Sequence, residues 1–137
     1  MPDLCTFDYA IVRVVPRVER GEFLNAGVLF FCSFHRFLKA RIELDAQRLQ
    51  AFAPTLDPAL LDEYLNTVQL VCTGGAGAGP IGQMEQRARF HWLVAPRSTI
   101  IQTSPAHSGL CHDPEAALEQ LLDKMVRPPV ACATSIE

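Results

Sequence analysis

Apolar positions follow different rhythms along this chain. Over Phe7–Val15 (FDYAIVRVV) and Leu24–Cys32 (LNAGVLFFC), β-branched, aromatic and other apolar residues occupy both parities. That pattern predicts strands covered on both faces. On the first, Tyr9, Ile11, Arg13 and Val15 share one side, and Ala10, Val12 and Val14 share the other. Over Phe37–Leu44 the rhythm is a clean alternation, with Leu38, Ala40, Ile42 and Leu44 inward and Lys39, Arg41 and Glu43 outward. This predicts a half-exposed antiparallel strand. After Asp57 the spacing becomes helical, through Leu61, Leu65, Val68 and Cys72, with Leu60 and Tyr64 widening the stripe. It returns in Leu118, Leu121, Leu122 and Met125. Both are amphipathic helix patterns.

Turn and cap residues divide these runs. Pro16 ends the first strand by removing a ladder donor. Arg17–Glu22 is a charged turn, and Ser33–Arg36 a short hairpin loop. Asp45 caps a short helix through Phe52. Asp57-Pro58 and Asp113-Pro114 each place an N-cap before proline at the first helical position. Gln83–Val94 reads as a further helix and Thr99–Thr103 as a fourth strand. The glycine-rich stretch 74–82 is expected to be a mobile surface loop, and 104–112 a loop. The former follows a helix and lacks the Gly-Lys-Ser/Thr ending of a phosphate loop. The sum is an α+β fold: a mainly antiparallel sheet, made of a three-strand meander and a later fourth strand, with about four helices on one face. A single domain over residues 1–126 and a disordered tail over 127–137 are expected.

Composition narrows the classes. The 137 residues are 49% hydrophobic and 20% charged, enough for a core without metal or disulfide staples. A net charge of −3 argues against a nucleic-acid-binding sheath. Phe30, Phe31, Phe34 and Phe37 read as core, not as a base-stacking platform. No basic segment leads into an apolar one at the start, and the longest apolar run, 26–32, is too short to span a membrane. A soluble, cytoplasmic protein is expected. The five cysteines lack any Cys-x-x-Cys spacing and read as free thiols. Cys32 and His35 with His107, Cys111 and His112 supply a tetrahedral donor set on paper, but Cys32 belongs to a core strand. No metal and no cofactor are expected.

Two polar groups carry the candidate chemistry. The first is Arg20, Glu22 and Asn25. They read either as a lock on the turn or as a polar pocket at the sheet end, because an asparagine inside an apolar strand must find partners for its amide. The second is Arg97-Ser98-Thr99, a guanidinium beside two hydroxyls that suits an anion. If the fourth strand lies beside the first, Arg13, Arg17, Arg20 and Arg97 converge. His107 is the acid–base candidate, set against a purely capping role. No Gly-x-Ser-x-Gly elbow occurs.

Tyr9–Pro16 running into Arg20–Val28 is one recognisable stretch. Trp92–Thr99, Gln102–Leu110 and Asp113-Pro114 with the terminal leucine helix are another. Together they resemble the bacterial domain of unknown function 3037 family, the second stretch being most similar to actinobacterial members. Thr103 stands where close relatives would carry proline. The resemblance implies no established activity. It implies a possible protein partner, a kinase-like protein of the HipA type. The leading expectation is therefore a non-catalytic interaction or regulatory module. The alternative is a small enzyme or ligand-binding domain for an anionic, phosphorylated molecule, with Arg20 and Arg97 holding the anion and Glu22 or His107 moving the proton. Nucleic-acid binding is the third reading. Oligomeric state is left open.

Overall fold

In the computed structural model, residues 3–97 and 99–129 are described. Strand β1 (Cys5–Val14) lies at the centre of an antiparallel sheet. On one side it pairs with β2 (Leu24–Cys32), which pairs with β3 (Phe37–Ile42). These form the expected meander. The other edge of β1 is shared by β4 (Ile101–Thr103), opposite Val12–Val14, and β5 (His107–Cys111), opposite Cys5–Tyr9. Ser104 joins them, its N–H donating to the Ile11 carbonyl and its hydroxyl accepting from the Ile11 N–H at 2.8 Å. The expected loop over 104–112 is thus largely a strand. His107-Ser108-Gly109 has little intrinsic strand preference; pairing with β1 imposes it.

The helices cover both faces, which corrects the one-faced arrangement. α1 (Ala46–Phe52), α2 (Pro58–Thr73) and α4 (Gln86–Val94) lie on one side. There Val12, Val14, Leu29 and Phe31 meet Leu61, Leu65, Phe90 and Leu93. α5 (Pro114–Met125) lies on the other, where Leu118 and Leu122 are fully buried against Val28, Phe30 and Cys32. This is why both parities of β1 and β2 are apolar. Met125, expected in the core, is 37% exposed beside the fully buried Leu118 and Leu122. Asp45, Asp57 and Asp113 accept N–H bonds from the first turns of α1, α2 and α5, as their positions predict.

The meander is tight at Gly27. A Cβ there would stand 2.4 Å from the Arg41 carbonyl oxygen of β3. Just beyond it the register breaks: Val12 faces Gly27, but Arg13 faces Asn25. Ala26 is the extra residue of a β-bulge. It turns toward the α2 face with Leu29 and Phe31, while Asn25 is carried to the α5 face. Simple alternation would have put Asn25 on the side of Leu29.

The glycine-rich stretch is a folded turn, not an open loop. A 3₁₀ turn (Ala76–Ala78) leads into the one-turn helix α3 (Gly79–Gly82), closed by a Gly75 N–H bond to the Gly82 carbonyl at 2.7 Å. Arg89 of α4, only 8% exposed, holds it in place. Its guanidinium donates to the Val71 and Cys72 carbonyls at the end of α2, each at 2.8 Å, and to the Met84 carbonyl at 2.9 Å. An arginine of one helix thereby caps another. Burial pushes the neighbouring Cys72 thiol up to about 12 despite the guanidinium, which favours the thiolate.

At the far end of the chain Arg127 pairs with Glu43, Glu119 and Asp123, tying the segment after α5 to the end of β3. The remainder of the tail expected to be disordered, 130–137, lies outside the described residues. Among the described residues no helix is long and apolar enough to cross a membrane.

Candidate functional site

β4 does pair with β1, the condition for the arginines to converge, yet only Arg17 and Arg20 share a cleft, and Arg13 and Arg97 lie elsewhere. Arg20 donates to both oxygens of Glu22, at 2.8 and 3.2 Å, and both side chains are more than half exposed. The pair keeps Glu22 below, and Arg20 above, its ordinary range. It is the turn lock, on the rim of a cleft formed with Pro16, Phe52 and Leu56. Arg17 pairs loosely with Glu19 at 3.6 Å. Arg97 donates to the Trp92, Leu93 and Ala95 carbonyls and lies over the Trp92 ring at 4.4 Å. It caps α4, giving three of its five N–H groups to carbonyls. It also sits on the α2 face, whereas Arg13 is on the α5 face with Ile11. Ser98 lies outside the described residues.

The proposed proton-transfer pair is separated as well. His107 opens β5 opposite Tyr9, with ring centroids 5.5 Å apart, and is not a cap for α5. Glu22 lies beyond Leu24, which faces Val14. From Tyr9 to Val14 is about 17 Å along the strand. Among the described residues no group of His, Cys, Asp or Glu is arranged to hold a metal. Cys32, named in the paper zinc set, points into the α5-side core with Cys5 and Cys111.

The bulge does bring Arg13 and Asn25 together, in register across β1 and β2. The Asn25 amide donates to the Met125 carbonyl at the end of α5, at 2.9 Å. Its Oδ1 and the Arg13 Nε are buried and have no hydrogen-bond partner among the described residues. Arg13 forms no ion pair there either; its guanidinium lies 3.9 Å from the centroid of the Phe23 ring. Phe23 is 45% exposed, and Val18 on the same turn is equally open. A donor and an acceptor on one face therefore sit at the hairpin end of the sheet, the donor's guanidinium against a half-exposed aromatic ring. Sequence reading found Arg13 and Asn25 but missed Phe23. Its signal was a large apolar residue between a charged turn and a strand.

Comparison with known proteins decides the family. The chain matches the DUF3037 family of proteins of unknown function over residues 9–126. The chain belongs to the DUF3037 family. No curated protein and no solved structure matches it. The DUF3037 match spans β1 through α5 and so includes Arg13, Phe23 and Asn25.

Proposed function

We propose that this DUF3037 chain is a non-catalytic binding module that docks another protein through the hairpin end of β1 and β2. The observation that carries the reading is the pair of orphaned polar atoms, Arg13 Nε and Asn25 Oδ1, on register partners at the hairpin end, with the half-exposed Phe23 against Arg13. Each buried unmade hydrogen bond costs about 1–3 kcal/mol. A partner that takes the Phe23 ring into an apolar pocket uncovers both atoms. A peptide group then satisfies them together, its carbonyl accepting from Arg13 and its N–H donating to Asn25. The free chain holds a cost that binding relieves, and exposed Val18 widens the apolar contact.

A HipA-type kinase is the partner to test first. Purified kinase and full-length chain are mixed and their complex measured by calorimetry, for the wild type, Phe23→Ala and Arg13→Met. A one-to-one complex weakened tenfold or more by each substitution supports the reading. No complex overturns this partner. A complex indifferent to both substitutions overturns the surface.

A further inference from the structure

On the opposite face of the sheet, α2, α4 and β4 enclose a cleft of about 290 Å³. Its floor is aliphatic, built from Val68, Leu93 and Ile101 with the buried Val12 and Leu29 beneath. Its walls are aromatic, Tyr64 from α2 and Trp92 from α4, each a little over one-third exposed. A cavity of roughly 150 Å³ accommodates one benzene ring. This cleft has the room for two fused rings and little more.

The polar groups of the rim restrict the chemistry further. The hydroxyls of Thr67 and Thr99 donate to the Glu63 and Ile101 carbonyls, at 3.1 and 2.6 Å, leaving their oxygens as acceptors. The Gln102 amide nitrogen donates to the Thr99 carbonyl at 2.9 Å. Thr103 and Tyr64 add two further hydroxyls to the lining. Among the described residues no carboxylate lines the cleft, and the one cation, Arg97, donates to three carbonyls at the end of α4. Arg97 also covers one face of Trp92 and fixes the ring. An apolar floor, aromatic walls and a few neutral polar groups at the rim are the make-up of a small-molecule site. A cation would lose its hydration here with no carboxylate among the described residues in return, and an anion would find three of the five Arg97 N–H groups already given to carbonyls.

We propose that this cleft binds a neutral, flat, two-ring heteroaromatic molecule. The rings lie on Val68, Leu93 and Ile101 between Tyr64 and Trp92, and the heteroatom edge meets the hydroxyl and amide rim. The site is independent of the hairpin surface, which lies on the α5 side.

Indazole, a neutral two-ring heteroaromatic, is titrated into the isotopically labelled full-length protein, with indazole-3-carboxylate as its charged counterpart. The expected result is saturable binding, with shifts confined to Thr67, Trp92, Thr99 and Thr103. The carboxylate binds at least tenfold more weakly. Thr67→Phe fills the cleft from the exposed side of α2 and abolishes binding, and Tyr64→Ala, which removes a wall, weakens it severalfold. Unsaturable binding, or shifts centred elsewhere, overturns the site. Equal binding by a folded Thr67→Phe protein overturns it too. A carboxylate that binds as tightly as indazole overturns the neutral ligand class.

Discussion

Arg89 and Arg13 are both drawn into the body of the protein, and they are treated in opposite ways. Arg89 is the more deeply buried, yet carbonyls at the end of α2 and before α4 receive its guanidinium. Arg13 is only partly buried, yet its Nε is sealed from water without a partner. The contrast teaches that a buried guanidinium is not by itself a binding site. Unused hydrogen-bonding capacity is what separates the two. Arg97 and Arg20 fall with Arg89, since each is consumed locally by helix carbonyls or by Glu22.

The sharpest way to break this comparison is Arg89→Met. It orphans the Val71, Cys72 and Met84 carbonyls together, and the expected loss is about 3–5 kcal/mol in a urea melt. A loss under 1 kcal/mol would mean that the guanidinium is not the cap described. Gly74→Ala approaches the same contact from the other side. Its φ is +81°, and a Cβ would stand 2.7 Å from Arg89 Nη1. Strain and displacement of the guanidinium together are expected to cost about 1–3 kcal/mol. Arg13→Met should behave in the opposite sense. It removes an unmade hydrogen bond while keeping an apolar contact with Phe23, so stability is expected to hold or to rise by up to about 1–3 kcal/mol. A large destabilisation would make Arg13 a structural residue.

The smallest effect concerns an ion-pair cluster that is neither buried nor orphaned. Hydrogen bonds from Arg127, with a smaller contribution from Arg41, hold the Glu43 carboxyl below its ordinary 4.5. A depressed folded-state value stabilises the protein above the unfolded-chain value. That stabilisation is lost as pH falls from about 4.5 through the lower folded-state value. Glu43→Gln should therefore flatten the acid side of the stability profile and lower the plateau near neutrality slightly. An unchanged slope below pH 4.5 would show that Glu43 does not contribute.

Much of the scaffold was legible because local rules govern it. The aspartates before α1, α2 and α5 act within one helical turn, and β2 runs from Leu24 to Cys32 as the pattern predicts. β5 was not legible, because His107–Cys111 becomes a strand only against a partner about a hundred residues away. The glycine-rich turn was misread for a similar reason: Arg89, which holds it, belongs to the next helix. At the hairpin end, residue identity gave Arg13 and Asn25 as candidates. Their shared face depends on the bulge at Ala26, and the contacts of Arg97 with the carbonyls at the end of α4 depend on the path of the chain after that helix.

The sequence by itself determined the α+β class, the meander, the starts of α1, α2 and α5 and most of the core, because periodicity and capping act over a few neighbouring residues. Only the tertiary structure decided that helices cover both faces, that a strand completes the edge of β1, and which arginines keep donors to spare. Those outcomes depend on partners distant in sequence. One inserted residue at a bulge re-aims a side chain to the other side of the sheet, and a guanidinium's availability is settled by whichever carbonyl the fold brings within reach.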